Sequence, residues 1–318
     1  MTDRTAPAAP RAYRPAPAAP RAYRAVCFDL DGTLLPMDID EFMGAYFAAI
    51  ARFVAERGLD AERFMAGLKA GTRAMAVHED DRTNAEAYWD EFYRHVDAGA
   101  ADWGALLAEF YDVDFARIGE GFAPDPAAAR VLASLCAKGY PLALTTMPMF
   151  PLRAVEHRLA WAGADPADFA RITSYENSKA VKPKQTYYAE NLAALGVAGA
   201  DVLMVGNNTM EDLAFLDLGA DAFLVTDWLL DPVGYDLETV RHGTMAGLER
   251  WVEALPPCAD PARGILRGPV PRDAMEAAFA ANAVGDIDRA EAAARAAAVA
   301  DDVASHDCGA TAAAEGAC

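Results

Sequence analysis

Short unbroken apolar runs alternate along this chain with longer stretches in which apolar residues recur every three or four positions, a pattern that predicts buried strands separated by amphipathic helices. Ala25 to Phe28 is too short for a helix, is rich in strand formers and is soon closed by Gly32. Tyr140 to Thr146, Ile172 to Tyr175, Asp201 to Gly206 and Ala222 to Thr226 read as further strands. After the first strand the period changes. Phe42, Tyr46, Ile50, Phe53 and Val54 fall on one stripe, with Gly58 as a stop. Asp60 to Val77, Thr83 to Val96 and Asp102 to Phe110 show similar spacing, and Thr83 with Glu86 forms a capping box. Asp125 to Lys138, Leu152 to Ala162, a segment after Pro183, Leu213 to Leu218 and Met245 to Leu255 supply the other helices. The order predicts an α/β fold: a doubly wound, mostly parallel, Rossmann-like sheet with an all-helical insert after the first strand.

The two ends read differently. Residues 5 to 24 are a tandem duplication whose close prolines continue neither a helix nor a sheet ladder, and which spoil an amphipathic targeting helix. Beyond Pro257, alanine dominates with interspersed acids and few large apolar groups, although Asp288 to Val299 has high helical propensity. The expected organisation is a disordered tail over 1–22, a catalytic core over 23–35 and 121–256, a helical insert over 36–120 and a mobile tail over 257–318.

The first predicted strand ends in Asp29-Leu-Asp31-Gly32-Thr33. Side chains two apart on an extended chain share a face, so both acids point at one spot beyond the strand's carboxyl end, where open α/β sheets bind ligands. Two carboxylates this close repel unless a cation lies between them or one holds a proton. With Mg²⁺ present, Asp29 is placed to attack phosphorus, while Asp31 protonates the leaving oxygen and later activates water.

This motif resembles the first motif of the haloacid dehalogenase-like superfamily, most of whose members are Mg²⁺-dependent phosphatases. The resemblance implies that Asp29 is the nucleophile and Asp31 the general acid/base; the true dehalogenases lack the second carboxylate. It also implies that the helical insert is a cap that closes over the site. By position Thr146 matches the strand-end hydroxyl of the second motif, with Thr145 as an alternative and Met147 where asparagine is common. Lys182, in Lys182-Pro183, matches the lysine of the third motif, ahead of Lys179 and Lys184. In the fourth motif Asn207 and Asn208 stand where the first acid is expected, leaving Glu211 and Asp212. The implied metal set is then Asp29, Asp31, Asn207, Asn208 and Asp212. An amide offers Mg²⁺ an oxygen but no charge, so weak binding is expected.

Charge and cysteines narrow the partners. Of the 318 residues 28 are basic and 48 acidic, a net of −20 that opposes a broad nucleic-acid or membrane-surface role. The five cysteines lack metal-type or redox-type pair spacing, which fits a reducing cytoplasm. The expected activity is phosphohydrolysis of a small phosphorylated metabolite through an aspartyl-phosphate. The alternatives are a phosphomutase that reuses the same intermediate, and a catalytically weakened relative that binds a ligand or partner. Neither the substrate nor the oligomeric state follows from the sequence.

Overall fold

A computed structural model describes residues 20–284. Six strands, β1 (Ala25–Phe28), β2 (Leu142–Leu144), β3 (Phe169–Ile172), β4 (Val202–Gly206), β5 (Asp221–Val225) and β6 (Arg241–Gly243), form one sheet in the order β3-β2-β1-β4-β5-β6. Every pairing is parallel. The all-parallel sheet with helices on both faces is the predicted doubly wound α/β fold. β1 is central, with Val26 opposite Leu142 on one side and Leu203 on the other. Its alternate residues feed opposite cores: Val26 and Phe28 join one cluster, Ala25 and Cys27 the other.

The inserted helical cap follows β1. It comprises α1 (Ile39–Glu56), α2 (Ala61–Val77), α3 (Asn84–Phe92) and α4 (Trp103–Glu109), then a π turn over Phe110–Asp114 and the short α5 (Phe115–Ile118). The sequence marks their starts. Asp38, Asp60 and Asp102 accept from backbone amides at the first turns of α1, α2 and α4, and Thr83 with Glu86 closes the expected capping box on α3. Phe42, Tyr46, Ile50 and Phe53 of α1 lie in the same apolar cluster as the sheet residues Phe28 and Leu144, so cap and core share one interior.

In the core, α6 (Pro126–Ala137), α7 (Leu152–Trp161) and α9 (Met245–Glu253) cover one face, while α8 (Gln185–Leu195) and a 3₁₀ segment over Asp212–Leu218 cover the other. β3 begins before the expected Ile172 to Tyr175 run. Arg171 interrupts its apolar pattern, but that arginine is buried, and Ser174 ends the strand by donating its amide to Asn177 Oδ1 at 3.0 Å. β6 has no large apolar residue and gave no strand signal.

The expected tail from 257 requires correction as far as 284. Ala262 N donates to Arg24 O at 2.9 Å and Leu266 N to Ala194 O at 2.9 Å, which ties this segment to the core. Beyond it, α10 (Arg272–Asn282) lies on α8 with Val270 and Met275 buried. Few large side chains suffice because alanines allow close helix contact, so composition alone concealed the packing. The predicted helix over Asp288 to Val299 and most of the expected N-terminal tail lie outside the described residues.

Candidate active site

The strand ends on either side of β1 converge on a cavity of about 160 Å³ between cap and core, lined by Asp29, Asp31, Thr146, Asn207 and Asn208 together with cap side chains. Asp29 continues β1 by donating its amide to Val205 O at 2.8 Å, which fixes its carboxylate at the carboxyl end of the central strand. The chain then turns at Gly32, where φ is +77° and a Cβ would lie 2.2 Å from Asn207 Nδ2, so only glycine fits.

Lys182 is fully buried, and its ammonium donates to Asp29 Oδ1 at 2.7 Å and Asp212 Oδ1 at 2.6 Å. Burial alone would favour losing that proton, but Asp212 and Asp29 together hold the lysine well above its ordinary range. The Lys182-Pro183 peptide is cis. The alternatives to Lys182 point elsewhere: Lys179 pairs with Asp81, and Lys184 donates to His78 O at 3.1 Å.

Asp212 accepts on both oxygens, Oδ1 from Lys182 and Oδ2 from the amides of Asn207 and Asn208, each at 2.9 Å. Burial pushes its carboxyl up, Lys182 pulls it down and the Asp29 charge raises it again, while each of its hydrogen-bond partners donates to it, which favours the carboxylate. Gly206 permits this fold-back, since a Cβ there would lie 2.1 Å from Asp212 Oδ2. Asn208 Oδ1 is likewise engaged, accepting from Met210 N and Glu211 N. Asn207 instead turns toward Asp29: Thr33 Oγ1 lies 3.2 Å from Asn207 Oδ1 and 3.3 Å from Asp29 Oδ2.

One hydroxyl donates to one acceptor at a time, so Asp29 Oδ2 and Asn207 Oδ1 compete for it. Two oxygens converging with one proton between them suit a hard cation, although Asp29 brings the only charge. Among the described residues no group of three or more His, Cys, Asp or Glu side chains is arranged to hold a metal. Mg²⁺ therefore fits here only with waters completing its shell.

Thr146 is buried and its hydroxyl has no partner, while its carbonyl accepts from Tyr187 Oη at 2.8 Å. Thr145 is committed to the fold, its amide donating to Phe28 O at 2.7 Å. Met147 lines the cavity where the motif commonly has an amide.

Sequence reasoning missed Arg158. It is buried, donates through Nη1 to Asp31 Oδ2, and its guanidinium lies 4.7 Å from the Phe150 ring centroid. A signal was available: Ala154, Val155, Arg158, Leu159 and Ala162 share the core-facing stripe of α7, and a cation on such a stripe requires a buried partner. Burial raises the Asp31 carboxyl, the Arg158 charge pulls it back down, and Asp29 raises it again. Asp31 Oδ1 is buried without a partner. Glu211 also lines the cavity, pushed up to about 8 by burial, with Lys182 opposing and the nearby aspartates reinforcing the rise.

Fold and cavity thus define a capped α/β enzyme with two carboxylates at the end of a central strand. Residues 23–217 match the family model described as haloacid dehalogenase-like hydrolase, and the chain belongs to that family. It is 27% identical over 245 residues to a phosphoglycolate phosphatase of Caulobacter vibrioides, covering 76% of this chain and 95% of that protein. Among solved structures it is similar to a HAD phosphatase from Thermococcus onnurineus, with 19% identity, 73% and 99% coverage and a TM-score of 0.46. It is also similar to the L-2-haloacid dehalogenase of Xanthobacter autotrophicus, with 18% identity, 73% and 98% coverage and a TM-score of 0.42. No helix among the described residues is long and apolar enough to cross a membrane.

Proposed function

We propose that this hydrolase is a phosphatase that cleaves monoesters of a small phosphorylated molecule through an aspartyl-phosphate on Asp29. The observation that carries this reading is the pair of carboxylates in one cavity with different surroundings. Asp29 accepts from an ammonium and a hydroxyl, whereas burial raises the proton affinity of Asp31 beside it. The name of the Caulobacter relative agrees with a phosphatase.

In this mechanism a carboxylate oxygen of Asp29 attacks phosphorus, the bond from phosphorus to the leaving oxygen breaks, and Asp31 donates its proton to that oxygen. Asp31 then takes a proton from water as the water attacks phosphorus, which releases inorganic phosphate and restores Asp29. Lys182 holds Asp29 in place and offsets charge, and the Thr146 hydroxyl is positioned to donate to a phosphoryl oxygen. Mg²⁺, held by Asp29 and Asn207 with waters, would neutralise phosphoryl charge. Asp212 and Asn208 act indirectly, by fixing Lys182 and the loop. In the same reading, residues 36–120 form the cap that excludes water and selects the leaving group.

A screen for phosphate release from a panel of phosphate monoesters with added Mg²⁺ tests this function. Release from at least one ester supports it. Isomerised sugar phosphate, or binding without turnover, would favour the mutase or the weakened binder.

A further inference from the structure

The cavity's walls differ sharply from its polar end. Beyond the acids and amides, the surface facing a leaving group comes from Met43 and Phe47 of α1, Leu68 of α2, Leu107 of α4, and Met149 and Phe150 after β2. Few polar groups interrupt it. The hydroxyls of Tyr46 and Tyr111 satisfy one another at 2.9 Å, and Thr72 donates to Leu68 O within its own helix. The only cation among the lining residues, Arg158, is paired with Asp31. Tyr88, whose hydroxyl is buried without a partner, offers one hydrogen bond.

A polyhydroxylated or strongly polar leaving group entering these walls would give up water for few partners, a cost that grows with each group left unpaired. An apolar one gains with each buried methylene.

We propose that the substrate is a phosphate monoester of a small apolar alcohol, and not of a sugar or a small hydroxy acid. The proposal rests on the phosphatase reading for its phosphate and on the cavity walls for its leaving group, and the two are separable by experiment.

Ethyl, butyl and hexyl phosphates have leaving groups of nearly equal basicity, and the matching alkylphosphonates bind without being hydrolysed. Phosphonate affinity by calorimetry and kcat/KM for the esters should each rise about two- to fourfold per methylene up to about six carbons. Met43→Gln, nearly isosteric but polar, should flatten the series, while Met43→Leu should preserve it. Should Met43→Gln fail to fold, Thr72→Val, which puts a methyl in place of a hydroxyl on the same wall, should steepen the slope. A flat series in both measurements, or 2-phosphoglycolate and glycerol phosphate outperforming hexyl phosphate, would overturn the proposal. A rising phosphonate series with no ester hydrolysed would leave the cavity's preference standing and sink the phosphatase reading instead.

Discussion

Arg158 shows how one side chain tunes another across 127 positions of sequence. Its charge is the principal influence lowering Asp31 against burial, so replacing it with Met should raise the Asp31 carboxyl further. A general acid works while protonated, so the alkaline limb of the kcat/KM profile should move to higher pH. An unmoved limb in the variant's pH–rate profile would show that Asp31 does not titrate under Arg158's control. Asp29 and Asp31 were legible because two carboxylates two residues apart at the end of an apolar strand share a face. Arg158 was legible only as a cation on the buried stripe of α7; its partner lies on the loop after β1, and only packing brings them together.

At the scale of the element, the loop after β4 departs most from its family's pattern, and its two asparagines have different jobs. Asn207 faces Asp29 through Thr33, whereas Asn208 caps the following turn. Asn207→Asp places a second charge beside Asp29 and should lower the Mg²⁺ concentration needed for half-maximal activity, despite losing the Asn207 Nδ2 bond to Trp228 O. Asn208→Asp should leave that midpoint nearly unchanged, since aspartate caps turns as well as asparagine. Titration of activity against Mg²⁺ separates the two, and equal shifts would contradict the assignment. Strand β4 and its loop were legible as an element, but identical residue types in adjacent positions gave no means of deciding which one faces inward.

α10 was illegible for the opposite reason, a weak pattern that nonetheless packs. Truncation after Pro257 would strip the carbonyls of Leu266 and Gly268 from the buried Arg171 guanidinium, together with the cover of Val270 and Met275 on α8. Arg171 would keep Asn191 Oδ1 at 3.0 Å but lose two carbonyl partners, and α8 would lose apolar cover, so a clear fall in melting temperature is expected. An unchanged melting temperature would mean that the segment only rests on the core.

For the whole molecule, the alternation of strands and helices was enough to foresee a parallel sheet with a helical insert, because burial on both faces leaves β1, β2, β4 and β5 almost wholly apolar. What composition could not show is where the fold accommodates buried charge. Glu190 on α8 is fully buried; burial pushes its carboxyl up from 4.5 to about 7, against the pull of Lys179 N and Arg171. Below about pH 4.5 it is protonated folded and unfolded alike and carries no penalty. As pH rises toward 7 the unfolded chain releases a proton that the folded chain keeps, so stability falls across that window, by at most on the order of 3 kcal/mol. Glu190→Gln retains an oxygen for Lys179 N and removes the titration, so thermal melts should show it more stable than wild type near pH 8 and equal near pH 4. A variant destabilised equally at both would show that the carboxylate is needed in place.

The covalent role of Asp29 is the centre of this account, and trapping the intermediate tests it most directly. Enzyme mixed briefly with a radiolabelled phosphate ester and quenched in acid should carry a hydroxylamine-sensitive label on the peptide containing Asp29. With an ester whose leaving group needs no protonation, the label should accumulate in Asp31→Asn, where water is no longer activated, and it should vanish in Asp29→Asn together with turnover. Wild-type turnover in Asp29→Asn, or a label on any other residue, would contradict the mechanism.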